Sequence, residues 1–373
     1  MAVSACPSRA RIVAALAFVV LAIACSPLAA PASPRDAELS GLSCAACHTA
    51  GAQLTPIGSA WAARSNRLEP IGGIPLISMK ASFAYVSDGN GPGLSKVILD
   101  YLDLYVNGKF ASNLSYVVEQ HVVDGGAPGL NRDAFVQWRR PHSRYLAGAM
   151  ALPLLTDPEC FRPLDEDYLM DDQTVGNNPF ALINSQVMAG VYTGDAVRGL
   201  EVGTFAVAGH EAGSGVPQTG TDSLFSATQR MPDLALSAIR YDGTRVLGSV
   251  PDRFWRSSFG LVADRGPWRL DLAFTQGRDS DPGTGSGVGS AGGLAQLHLD
   301  LKSGTFFEAR YEGITDTTGI FVRQAVIGGG RTIVQHVRVT IEDGIARDTR
   351  THNVLHFVTS FGANNARVGN GSY

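Results

Sequence analysis

Two cysteines three residues apart, with a histidine directly after the second, carry the most specific chemistry in this chain: Cys44-Ala45-Ala46-Cys47-His48. That pattern attaches c-type haem. The two thiols add to the two vinyl groups on one edge of the porphyrin, and the adjoining imidazole reaches the iron from the proximal face. The expected cofactor is therefore one covalent haem c bound by Cys44, Cys47 and His48, with His48 as the metal ligand. The same spacing also occurs in zinc half-sites and thioredoxin-like pairs. A zinc site needs further Cys or His nearby, and residues 49–80 contain neither.

The elements that position this motif begin at the N-terminus. Arg9 and Arg11 precede an apolar run from Ile12 to Cys25, followed by small residues and prolines, which is the layout of a secretory signal peptide. The run is short for a membrane span. Small residues at Ala30 and Ala32 place cleavage after Ala32, so 1–32 is the expected signal peptide. A lipoprotein cysteine at Cys25 is the competing reading, weakened by a poor lipobox at Ala22-Ile23-Ala24. Export leaves Cys44 and Cys47 for haem and Cys160 unpaired, so no disulfide framework is expected.

Residues 33–73 form the expected haem-bearing segment. Thr55 is placed to cap a short helix with Pro56 in its first turn; Ile57, Trp61 and Arg64 to Leu68 follow at helical spacing, and Pro70 ends it. Below about 40 residues a chain rarely builds its own core, so the haem pocket needs the rest of the protein. Polar-face histidines His121, His298, His336, His352 and His356 are candidates for the second axial ligand. Met79 is disfavoured because it falls on the apolar face of its strand.

From Ile74 the hydrophobic period becomes two. Phe307, Ala309 and Tyr311 alternate with Glu308, Arg310 and Glu312, and Tyr116 and Val118 with Ser115, Glu119 and His121. Strands are expected near 74–86, 97–110, 114–123, 132–140, 145–155, 180–192, 198–209 and 222–228. The remainder fall near 233–242, 253–265, 267–276, 293–301, 304–313, 318–328, 331–343 and 350–362. Alternation alone also suits a soluble sandwich or propeller. The connections, however, alternate between long and short, the habit of transmembrane barrels. The expected fold is all-β: an antiparallel transmembrane β-barrel of about sixteen strands over 74–373, porin-like, with the short helical haem segment before it. Both termini would then face the periplasm.

Composition narrows the functions. Charged residues are 17% of the chain and the formal net charge is -4, which gives no footing for a nucleic-acid partner. Gly287 to Gly292 matches a dinucleotide fingerprint but leads into an alternating strand rather than a helix. Asp279 and Asp281 begin like a calcium loop that lacks its closing glutamate at Ser290. Ser-His-Asp, HExxH and P-loop patterns are absent from the sequence. Asp165-Glu166-Asp167 with Asp171-Asp172 form an acidic stretch expected on the outer side, a solvated loop or a cation-gathering one.

The haem motif followed by Leu54-Thr55-Pro56-Ile57-Gly58 and Trp61, then directly by barrel-type strands, resembles the outer-membrane monohaem cytochrome-porin fusion family of extracellular electron transfer and iron oxidation. The resemblance continues through Asp103 to Phe110 and the strand containing Gly148 to Pro153. It implies an outer-membrane protein that moves electrons between an extracellular donor, with Fe(II) as the family's example, and a periplasmic c-type cytochrome. Outer-membrane lipid would surround it. Whether the chain is an enzyme depends on that donor. Where the family carries an aromatic, proline-rich run after the haem histidine, this chain has Thr49-Ala50-Gly51-Ala52-Gln53. Two other functions fit the same sequence: a solute porin whose haem segment is a gate or sensor, and a soluble periplasmic cytochrome with an all-β domain.

Overall fold

The computed structural model describes residues 48–50, 53–54 and 76–362, apart from 89–95, 112, 125–126, 130, 155–167, 173, 177, 179, 183–184, 196–198, 212–221, 232, 248–249, 266, 281–286, 302–304, 316–320, 335–336 and 347–350. Alternating side chains pleat these segments into strands, but the two faces are reversed from those of a soluble sheet. In Thr305–Thr315, Glu308, Arg310 and Glu312 are buried while Phe307 and Tyr311 are 53% and 52% exposed. The polar face turns inward and the apolar face outward.

Two short strands, β1 (His48–Ala50) and β2 (Gln53–Leu54), pair with each other, His48 opposite Leu54. A closed barrel follows. Its first half comprises β3 (Leu76–Asp88), β4 (Lys96–Ala111), β5 (Leu114–Asp124), the two-residue β6 (Ala127–Pro128), β7 (Asn131–Arg140), β8 (Ser143–Met150), β9 (Gln186–Gly194) and β10 (Leu200–Glu211). The second comprises β11 (Asp222–Met231), β12 (Leu234–Leu247), β13 (Val250–Arg265), β14 (Trp268–Asp279), β15 (Val288–Asp300), β16 (Thr305–Thr315), β17 (Phe321–Val334), β18 (Val337–Ala346) and β19 (Thr351–Gly362). The long strands pair antiparallel with their sequence neighbours, β5 pairing with β7 along most of its length and with the short β6 at its end. The ring closes where β19 meets β3, with Leu355 opposite Tyr85. Closure satisfies the backbone groups of every edge.

One end of the barrel has short connections, at 112–113, 141–142, 232–233, 266–267 and 335–336. The other carries 89–95, 125–130, 151–185, 212–221 and 280–287; the tight turn at 248–249 departs from that pattern. Both the entry at Leu76 and the exit at Gly362 lie at the short-turn end. Between β8 and β9 the chain also forms one helical turn, α1 (Leu169–Asp172). Among the described residues no helix is long and apolar enough to cross a membrane, which says nothing of strands.

The strands fall close to their expected positions, with two corrections. Residues 151–155 and 180–185, read as strand from their alternation, belong to the long β8–β9 connection: Leu152, Phe180 and Leu182 are buried within the barrel. Alternation there reflects packing against a curved apolar wall, a pattern indistinguishable from a strand in sequence. The turn expected at 328–330 is interior to β17, where Gly329 lies opposite Phe307. A Cβ at Gly329 would approach the Phe306 carbonyl oxygen to 2.7 Å and the Phe307 ring to 3.1 Å, so this glycine answers a close approach rather than a turn.

Candidate functional site

The barrel interior is the candidate site, and the connection 151–185 shapes it. Asp133 on β7 ties both ends of this connection: its Oδ1 accepts from the Ala151 amide at 2.8 Å and from the Ser185 hydroxyl at 3.3 Å. Between these ties the described parts of the connection are fastened to the barrel wall at two places. Near α1, the Tyr168 hydroxyl donates to Gln296 on β15 at 2.8 Å, with the Arg310 guanidinium stacked 4.4 Å from the Tyr168 ring centre. The Met170 amide donates to Glu312 on β16 at 3.4 Å.

The second fastening is aromatic. Phe180 is fully buried, its ring centre 4.4 Å from Tyr241 and 5.0 Å from Phe254. Asn178 positions it: the Asn178 side-chain oxygen accepts from the Phe180 amide at 2.9 Å, while its amide nitrogen donates to Asp252 at 3.0 Å. Arg245 and Arg256 lie over the same ring cluster, 5.0 and 5.3 Å from the centre of Phe254. These rings join Leu152, Leu182, Met188, Phe205, Val207, Leu224 and Ile239 in one apolar cluster. One side of the lumen is thereby filled.

The remaining luminal wall is charged and internally paired. At the short-turn end Arg144 donates twice to Glu201 Oε1, at 3.2 and 3.0 Å, and once to Gln137 at 3.1 Å. In register across β14, β15 and β16 lie Arg269, His298 and Glu308, then Asp271, Gln296 and Arg310. Arg269 reaches both Asp271 oxygens, at 2.9 and 3.0 Å, and His298 Nδ1 is 3.3 Å from Glu308. Toward the long-loop end Asp222 accepts from Arg245 at 2.8 Å, from the Tyr241 hydroxyl at 2.7 Å and from the Thr244 amide at 2.9 Å. Such rows of fixed charge bias the passage of ions and polar solutes.

The residues singled out from sequence are distributed unevenly. Cys44, Cys47, Cys160 and the helix expected from Thr55 lie outside the described residues, and His48 opens β1. The fit of haem at 44–48 accordingly rests on the donor set itself, two thiols and an imidazole in attachment spacing. Of the axial candidates, His121 and His298 face the lumen beside carboxylates: His121 is 3.8 Å from Asp103 and 3.3 Å from Glu119. His352 and His356 are in β19, and His336 lies outside the described residues. Of the acidic stretch, Asp165, Glu166 and Asp167 lie outside the described residues, while α1, which contains Asp171 and Asp172, belongs to the β8–β9 connection at the long-loop end and packs on β15 and β16. Among the described residues no cluster of three or more His, Cys, Asp or Glu is arranged to hold a metal. The loop anchors Tyr168, Asn178 and Phe180 escaped the sequence reading; aromatic and amide residues within a long, otherwise acidic connection were the available signal.

No protein-family model matches the chain, and no curated protein matches it by sequence. Its fold is similar to those of solved porins. An anion-selective porin from Comamonas acidovorans superposes with a TM-score of 0.62 at 12% identity, covering 77% of this chain and 99% of that one. OmpF of Salmonella typhi, solved with daunomycin, gives 0.59 at 12%, covering 78% and 98%. The outer membrane channel DcaP of Acinetobacter baumannii gives 0.57 at 12%, covering 79% and 99%. The chain folds as a porin-like, all-antiparallel β-barrel.

Proposed function

We propose that this chain is an outer-membrane porin that conducts small polar solutes through a lumen narrowed by residues 151–185, and that it carries a c-type haem on the segment preceding β3. The observation that carries the membrane assignment is the inverted barrel surface. Across β13 and β14, outward positions run from Arg265 opposite Trp268, through Ala263–Leu270, Leu261–Leu272, Phe259–Phe274 and Ser257–Gln276, to Trp255 opposite Arg278. Five two-residue steps at ~3.4 Å per residue, tilted by ~40°, separate the two tryptophan rows by ~26 Å. That is the height of an apolar band with aromatic girdles in a bacterial outer membrane.

Sixteen crossing strands, β3 to β5 and β7 to β19, follow from taking the two-residue β6 as an extension of the β5–β7 connection; an even number suits bacterial barrels. The names of the similar solved structures, an anion-selective porin and an outer membrane channel, support conduction here. Purified protein in planar bilayers is expected to give discrete, voltage-independent conductance steps, and liposomes containing it to swell in small sugars. Recovery of the mature chain in the soluble periplasmic fraction would refute both membrane residence and conduction.

The motif Cys44-Ala45-Ala46-Cys47-His48 favours a second function, electron transfer between an extracellular donor and a periplasmic c-type cytochrome. Cys44 and Cys47 would hold the porphyrin and His48 its iron, and bound haem would supply one-electron redox chemistry. Liposomes with an entrapped redox dye distinguish the two functions. Reduction of the dye by external Fe(II) that vanishes in C44S/C47S supports the conduit, whereas solute flux without such reduction supports the porin.

A further inference from the structure

The outer wall of β12 to β14 carries a group of arginines that neither conduction nor haem attachment uses. Above the Phe259–Phe274 row, outward positions toward the long-loop end are Arg240 opposite Ser257, Asp242 opposite Trp255, Trp255 opposite Arg278, and Thr244 opposite Arg253. The Arg240 guanidinium stacks 4.2 Å from the Trp255 ring centre and pairs with Asp242 at 2.7 Å, drawing it up from the apolar band. Arg253 and Arg278 are exposed on adjacent strands, in the diagonal relation that separates residues by ~7–8 Å. Arg278 stands level with Trp255, and Arg253 is one row, ~5 Å, further out.

Three guanidiniums and one carboxylate thus surround an aromatic belt residue on three consecutive strands. At the short-turn end the corresponding positions are dispersed: Arg140 on β7, stacked 4.3 Å from Trp138, and Arg265 on β13. We propose that Arg253 and Arg278, framed by Trp255 and the Arg240–Asp242 pair, form a docking surface for the phosphates of an anionic lipid headgroup in the leaflet at the long-loop end. Guanidinium pairs phosphate through two parallel hydrogen bonds, and Trp255 covers the first methylenes below it. This rests on the membrane residence proposed above, which fixes Trp255 at the interface.

The test uses the full-length protein in detergent, with its barrel-to-unfolded transition followed on unboiled gels. Diphosphoryl lipid A is expected to raise the transition temperature, while the same lipid lacking its phosphates, or inorganic phosphate alone, does not. In R253Q/R278Q the lipid A concentration giving half the shift should rise about tenfold or more, as expected for loss of charge-assisted hydrogen bonds worth at least ~1.4 kcal/mol together. R265Q at the opposite rim should behave as the parent. Equal stabilisation of R253Q/R278Q, or equal effect of the dephosphorylated lipid, overturns the proposal. If those variants still conduct in bilayers, the porin function stands apart from that failure.

Discussion

Replacing Phe180 by alanine is expected to loosen the segment that narrows the lumen without unfolding the barrel. Phe180 belongs to no strand; its ring is held between Tyr241 on β12 and Phe254 on β13 and is fully buried. Truncating a buried Phe costs about 3–5 kcal/mol, including the lost aromatic pairs and the cavity left behind. That cost falls on the docking of 174–182, because the sheet hydrogen bonds are untouched. With tenfold for each ~1.4 kcal/mol, the detached population of this stretch should rise by about two to three and a half orders of magnitude. Hydrogen exchange at 174–182 should accelerate accordingly, while β12 and β13 remain protected. Single-channel traces should become noisier and visit larger conductance levels. An F180A barrel with parental exchange at 174–182 and parental conductance would refute the assignment of Phe180 as the fastening that sets the constriction.

Three further substitutions test other parts of the structure. R144L removes both guanidinium hydrogen bonds to the buried Glu201 Oε1 and should cost about 3–5 kcal/mol, read as a lower gel-shift temperature; a double R144L/E201L variant should recover much of that loss. G148V should impair folding into vesicles, because Gly148 has φ +141° and a Cβ there would approach the Ala134 carbonyl oxygen to 2.2 Å; normal folding yield would contradict the close strand approach. F274R places a charge on the outward face of β14, midway between the Trp268 and Trp255 rows, and should cost about 2–4 kcal/mol of membrane-folding stability, measurable by urea titration in liposomes. A cost near zero would place Phe274 outside the lipid.

The sequence carried the strands well because a two-sided environment writes itself into every second residue. Glu308, Arg310 and Glu312 against Phe307 and Tyr311 identified both the strand and its faces, and the structure keeps that division. It failed where a segment borrows the same alternation for another purpose, as Leu152 and Phe180 do in packing against the lumen wall. The paired charges were invisible for a different reason. Arg269, His298 and Glu308 are separated along the chain, and only the register of β14, β15 and β16 sets them in one row. Short turns betrayed the topology, but glycine misled at 328–330 because a glycine can be required by a neighbour across the sheet as readily as by a bend.

The haem motif and the lumen make opposing demands, and one measurement separates them. A single haem carries charge across a ~26 Å apolar band only from inside the barrel, since polar groups are costly on the lipid side. The stretch between His48 and Leu76, at up to ~3.4 Å per residue, has length enough to reach either the rim or the middle of the lumen. The lumen wall argues for the rim: one side is already filled by 151–185 around Phe180, and His121 and His298 face it beside carboxylates. Haem attached at Cys44 and Cys47 should therefore leave conductance alone. C44S/C47S is expected to lose covalent haem staining while retaining single-channel conductance within about a factor of two of the holoprotein. A several-fold rise in conductance on haem removal would put the porphyrin inside the barrel and favour the electron conduit over the porin.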